Sequence, residues 1–176
     1  MSERIEAPCM PKFSDLNLRD LLPQKGRMAL IRKVLDADLE AGEPWVKCQV
    51  VVGEEGIPSA YNTPQVLAPV AIEYVAQAGA VLGSLLAMKS SKEGSSAVAT
   101  ARQGMICSVR ELQVHVPGLL VGQELEVLAR LTGGDEALSL IEGQVSALGI
   151  SGAQEVLMTV RCSVVHTEPV NAKAQI

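Results

Sequence analysis

Aromatic residues make up only 2% of this 176-residue chain, with Phe13, Trp45, Tyr61 and Tyr74 the full set. So few rings provide no stacking platform for the bases of single-stranded nucleic acid. An excess of positive charge is missing too. The 15 Lys and Arg are outnumbered by 20 Asp and Glu, for a net charge of −5, so no basic field gathers phosphates. Nucleic acid is therefore excluded as a partner. Histidine is limited to His115 and His166, and the four cysteines (Cys9, Cys48, Cys107, Cys162) form no C-x-x-C pair. That spacing argues against a zinc knuckle, a redox motif or a disulfide framework and leaves reduced, mostly buried thiols. The patterns G-x-x-x-x-G-K-[ST], H-E-x-x-H and G-x-S-x-G are absent, so neither a metal nor a nucleotide cofactor is implied. The opening MSERIEAPCMPKFSD lacks the apolar run of a secretory signal, and the expected location is the cytoplasm.

What the chain does have is apolar material: 48% of its residues are hydrophobic, enough for one core at this length and too little for two. Residues 1–14 and 167–176 read as arms, and residues 15–166 as one domain. Asp15 to Leu22 reads as a short helix stopped by Pro23. Strand character follows in Ala29 to Leu39 and Trp45 to Val52. Four more strands are expected at Met105–Val116, Gln123–Leu131, Leu138–Leu148 and Glu155–His166, separated by Gly- and Pro-rich turns. Gly143, inside the third of these, is expected to mark a bulge.

The most informative segment is PQVLAPVAIEYVAQAGAVLGSLLAM, Pro64 to Met88. It is apolar on every face except at Glu73 and Gln77, the pattern of a helix enclosed by protein. At ~1.5 Å per residue, about 20 residues span ~30 Å, the width of a small domain. A bilayer span has the same length, but a carboxylate and an amide one turn apart are expensive in lipid. A buried helix without a membrane span is the expectation, with Ala76, Gly79, Ala80 and Gly83 letting a sheet approach closely. Lys89 to Ser96 reads as its exit loop. An antiparallel sheet curled around one long central helix, an α+β architecture, buries such a helix most economically.

Three segments, in order, carry a family resemblance. LAPVAIEYVAQ (Leu67 to Gln77) resembles the G-V-x-x-x-E-x-x-A-Q helix signature of the hotdog-fold 3-hydroxyacyl-[acyl-carrier-protein] dehydratases. LPQKGRMALIRKV (Leu22 to Val34) is similar to their L-P-H-x-x-P-x-L-L-x-D-R-V segment, and VRELQVHVPGLLVGQEL (Val109 to Leu125) to a strand ending in P-x-x-x-G-x-x-L. The combination is most similar to the dehydratase-like proteins of aryl polyene pigment pathways, and spans roughly residues 15–166. Two departures stand out. The G-H-F-P loop that carries the family's histidine reads EEGIPSAYNTPQ here, with Ser59 near that position, and Gln24 replaces the histidine of the leading segment.

The resemblance implies a hotdog fold and dehydration of 3-hydroxyacyl thioesters in fatty-acid or polyene biosynthesis. The acyl group would come from acyl carrier protein or coenzyme A. Glu73 falls on the family's acid and Gln77 on its companion amide. A carboxylic acid kept dry is suited to proton donation near neutral pH, and amides near Val70 and Ala71 at the helix start could face the thioester oxygen. Ser59, Gln24 and His115 are further candidates for contact with the substrate. With the usual histidine missing, either Glu73 serves alone or a second hotdog subunit in a homodimer or heterodimer supplies the base. A thioesterase using the single helix carboxylate and a non-catalytic acyl-binding subunit are the alternatives. Lys25, Arg27, Arg32, Lys33 and Arg110 are either a docking face for an acidic carrier protein or solvated surface.

Overall fold

The computed structural model describes residues 16–53, 65–92, 103–148 and 153–167. Period-two patterning sets its sheet. In Trp45–Val51 the side chains of Val46, Cys48 and Val50 are buried while their neighbours are half-exposed, and Glu124–Gly134 buries Leu125, Val127 and Ala129 in the same way. Alternation of this kind gives a strand one dry face and one wet face.

The strands are β1 (Ile31–Asp38), β2 (Trp45–Val51), β3 (Gln65–Leu67), β4 (Gln103–Val114), β5 (Gly118–Leu120), β6 (Glu124–Gly134), β7 (Leu138–Leu148) and β8 (Gln154–Thr167). Six of them form one antiparallel sheet in the order β1-β2-β6-β7-β8-β4, while β3 and β5 pair separately. The α-helices among the described residues are α1 (Leu18–Leu21) and α2 (Ala71–Lys92), the latter led in by a 3-10 turn at Ala68–Val70 with Pro69 in its first turn. Proline suits that place because its fixed φ matches the helix and its missing amide would have no partner there.

The helix lies across the concave face of the sheet. Ala71, Tyr74, Val75, Ala78, Val81, Leu82 and Leu85 are all buried, at the three- and four-residue spacing of one helical face. Two glycines set the distance. A β-carbon at Gly143 would overlap the Val75 side chain, and one at Gly79 would overlap that of Ile141. Gly143 thus admits the helix rather than marking a bulge; the register slips nearby, between Val145 and Ser146. Nothing approaches a β-carbon at Gly83, so of the small helix residues expected against the sheet this one is not in contact.

Two other expectations are revised. The helix is not enclosed on all sides: Ala68–Ser90, the one described segment long and apolar enough to cross a membrane, is 44% buried over its most apolar part. The second concerns Lys89 to Lys92, expected in the exit loop, which continue α2, with Lys89 ion-paired to Glu40. The pairing of β3 with β5 was not anticipated, because three-residue strands carry too short a pattern to read. An α+β hotdog fold, a curved antiparallel sheet around a central helix, is the result.

Candidate active site

Glu73 sits in the first turn of α2, at the wall of a cavity of about 570 Å³. That volume falls within the range of small-molecule sites. Its neighbour four residues on, Gln77, is fully buried and has all its polar atoms committed. Gln77 Nε2 donates to Glu73 Oε1 at 2.9 Å and to the Met28 carbonyl at 2.8 Å, and its Oε1 accepts the Leu30 N–H at 2.9 Å. Because the Leu30 donor requires an oxygen opposite it, the amide orientation is fixed, and an N–H must face Glu73. The segment between α1 and β1 is thereby fastened to the helix, and the carboxyl is held in place by a group that is itself immobile.

From Glu73 the cavity runs along α2, over Ala76, Gly79, Ala80, Gly83 and Ala87, between the helix and strands β4, β7 and β8. Pro23 and Gln24 form one wall, Gly104 to Ile106 of β4 another, and Asp135, Ser139, Ile141 and His166 the distant end. Gln24 Oε1 is buried there with no hydrogen-bond partner among the described residues. Ser139 Oγ and His166 Nε2 are 2.7 Å apart. Val75 packs on Gly143 and Gly79 on Ile141, so β7 runs antiparallel to the helix, and Ser139 lies on the order of 15 Å from Glu73 by helix and strand rise. His166 therefore shares the cavity but cannot reach a carbon that Glu73 serves.

The remaining candidates are placed as follows. Val70 is half-exposed beside the acid, and the Ala71 amide already donates to the carbonyls of Ala68 and Pro69. The expected pair of free amides is thus reduced to the single candidate Val70. His115 is exposed, its N–H bonded to the Leu157 carbonyl at 2.9 Å, and it does not line the cavity. Ser59 lies outside the described residues. The proposed basic face is divided: Lys25 Nζ folds back onto the Leu22 carbonyl at 2.9 Å, Arg32 and Lys33 lie on β1, and Arg110 lies on β4 at the opposite sheet edge. Among the described residues no group of His, Cys, Asp and Glu could hold a metal ion. Sequence reading passed over Ser139 and His166 as site residues. Their only signal was the antiparallel register of β7 and β8, which brings together residues 27 positions apart.

Burial pushes the Cys48 thiol up to about 12 and the Cys162 thiol to about 11, the latter with a contribution from Cys107. Both are poor nucleophiles in consequence. The Tyr74 hydroxyl is also raised by burial.

The solved dehydratase heterocomplex ApeI:P from Xenorhabdus doucetiae has a chain similar to this one. The two are 27% identical over 87% of this chain and 92% of that chain, with a TM-score of 0.66. Zebra fish thioesterase superfamily member 2 (12% identity, 77% of this chain and 80% of that one, TM-score 0.47) and the E. coli PaaI protein of the phenylacetic acid degradation operon (9%, 75% and 80%, TM-score 0.48) are more distant. No curated protein sequence matches the chain. The ApeP-like family, described as ApeP dehydratase, matches residues 16–175, nearly the whole chain. The chain belongs to the ApeP-like dehydratase family.

Proposed function

We propose that this chain takes part in the dehydration of 3-hydroxyacyl thioesters carried by acyl carrier protein in the cytoplasm, as one subunit of a hotdog assembly. The observation that carries the reading is the clamped carboxyl of Glu73 at the head of an acyl-sized cavity. In this reaction a base takes the proton from C2, the C2–C3 double bond forms, and the C3 hydroxyl leaves as water on receiving a proton. Glu73 in its acid form is the donor to the departing hydroxyl. The Val70 amide is the candidate partner of the thioester oxygen as charge gathers on it. Gln77 positions Glu73 and does not touch the substrate.

The base must come from elsewhere, since His166 is too far and His115 faces solvent. A second hotdog subunit supplies it in this reading. The related protein's occurrence in a heterocomplex supports that. So does β4, which among the described residues is an edge strand with no neighbour on one side, and whose Met105, Val109, Leu112 and Val114 are exposed. Unpaired edges carrying apolar side chains invite another strand.

The test is an assay of 3-hydroxyacyl and saturated acyl thioesters with the chain alone and co-expressed with a candidate hotdog partner. Enoyl product formed only by the pair is the expected result. Release of free thiol instead of water, or no reaction with either substrate in the paired state, overturns the reading. Val109→Lys on the exposed edge should abolish turnover by the pair and leave an 18.6 kDa monomer with unchanged circular dichroism; a variant that still assembles rules out β4 as the contact.

A further inference from the structure

We propose that the strand docking on the free edge of β4 brings a carboxylate opposite Arg110, and that this charge pair selects a different chain over a second copy of this one. The inference rests on the reading of β4 as the subunit contact and adds the chemistry that the contact recognises.

A row of charged side chains crosses the solvent-facing side of the sheet. Directly opposed residues of paired strands share a face, and the register lines up Arg130 on β6, Glu142 on β7, Arg161 on β8 and Arg110 on β4. Ala129, Ile141 and Cys162, one residue along, are buried on the other face. The signs of the first three alternate. Arg161 Nε donates to Glu142 at 3.2 Å, and its Nη1 meets the Glu111 carboxylate at 3.1 Å. At the edge the alternation breaks. Arg110 stands opposite Arg161, a like-charged cross-strand pair that is unfavourable by itself. Arg110 is exposed and has no ion-pair partner among the described residues.

The local backbone of β4 accounts for the missing partner. The register slips between Arg110 and Gln113, and within the slip Glu111 takes a left-handed φ of 51°. Its carboxylate goes to Arg161 and leaves Arg110 without one. Glu111 is the single acid in β4, so the same edge of a second copy has none to offer Arg110. A different chain with Asp or Glu in that row does. Docking turns Arg110 from an edge residue into one with a strand on each side. Water is then partly withdrawn from the guanidinium, and an uncompensated cation is unfavourable there. A carboxylate restores the alternating signs, and its two oxygens match the planar fork of arginine, which adds direction to the charge.

The experiment titrates the full-length chain with the hotdog subunit that gives turnover in the paired assay and reads the dissociation constant at low and high salt. Arg110→Ala should weaken the pair about five-fold and Arg110→Glu about twenty-fold, with both effects much reduced at about 0.5 M salt. The lone Arg110→Glu chain should melt no lower than wild type, because the change sets an opposite charge beside Arg161. A residue needed only for the fold would lower both readings. Changing one Asp or Glu of the partner's edge strand to Lys should restore affinity for Arg110→Glu and reduce it for wild type. Wild-type affinity in Arg110→Glu, while Val109→Lys still prevents assembly, overturns the inference and leaves β4 as the contact. So does a partner edge on which no such exchange restores binding, or a wild-type chain that pairs with its own copies as tightly as with the partner. Assembly that survives Val109→Lys, or no assembly with any hotdog partner, overturns the subunit reading and this inference together.

Discussion

Leu30 and Gln77, 47 residues apart in the chain, are joined by a 2.9 Å hydrogen bond from the Leu30 N–H to the Gln77 amide oxygen. The same side chain reaches Met28 and Glu73, so one buried amide fixes both a loop and the candidate acid.

Gln77→Leu keeps the volume and removes all three bonds. Two part-buried backbone groups, the Leu30 N–H and the Met28 carbonyl, lose their partner at up to roughly 1–3 kcal/mol each. A loss of about 1–3 kcal/mol is expected, read as a lower urea midpoint. It corresponds to a fall in Tm of about 2–4 °C per kcal/mol for a chain of this size. A midpoint unchanged within error contradicts the clamp.

Gly143→Ala places a methyl into Val75 across the helix–sheet contact. Overpacking of this kind destabilises by about 1–3 kcal/mol. Val75→Ala in the same chain makes room, so the double mutant should be less destabilised than the sum of the single changes. Additive melting temperatures argue against a direct contact.

Glu73→Gln keeps an acceptor for the Gln77 donor and removes the exchangeable proton. Turnover by the assembled enzyme is expected to fall at least about 100-fold with the Tm unaltered. Turnover within a few-fold of wild type removes Glu73 from the chemistry.

Alkaline stability should report the buried thiols. Cys48 and Cys162 have folded pKa values near 12 and 11, against an ordinary 9.0, and Tyr74 is shifted upward too. Above pH 9 the unfolded chain loses protons that the folded one retains. Stability is therefore full below that pH and declines as it rises toward the folded values, by about 1.4 kcal/mol per pH unit for each fully titrating group. Urea midpoints from about pH 8 to about pH 11 should show the decline, with a shallower slope in Cys48→Ala. An identical slope in that variant refutes the assignment.

The long elements and the family were readable from residues alone, because alternation in Trp45–Val51 and the unbroken apolar run around Glu73 are strong local signals. The motif from Leu67 to Gln77 singles out Glu73 as the candidate acid from sequence alone. The far end of the cavity was not readable. Ser139 and His166 lie on different strands, and only the β7–β8 register brings them together. Gly143 was misread for a similar reason, since a glycine that admits a helix and one that forms a bulge look alike in sequence. The cavity along α2 was also hidden, because alanines and glycines that line a cavity have the same composition as alanines and glycines packed in a core.

The sheet order has a consequence for synthesis on the ribosome. The third strand of the sheet in chain order, β4, has a single neighbour among the described residues, and that neighbour is β8, the last of the described strands. At roughly 5–20 residues per second, a nascent chain passes seconds with β4 made and nothing to pair it with. The free edge of β4 is thus shaped only once β8 has been made and paired with it, so any strand that docks there must wait for the rest of the sheet.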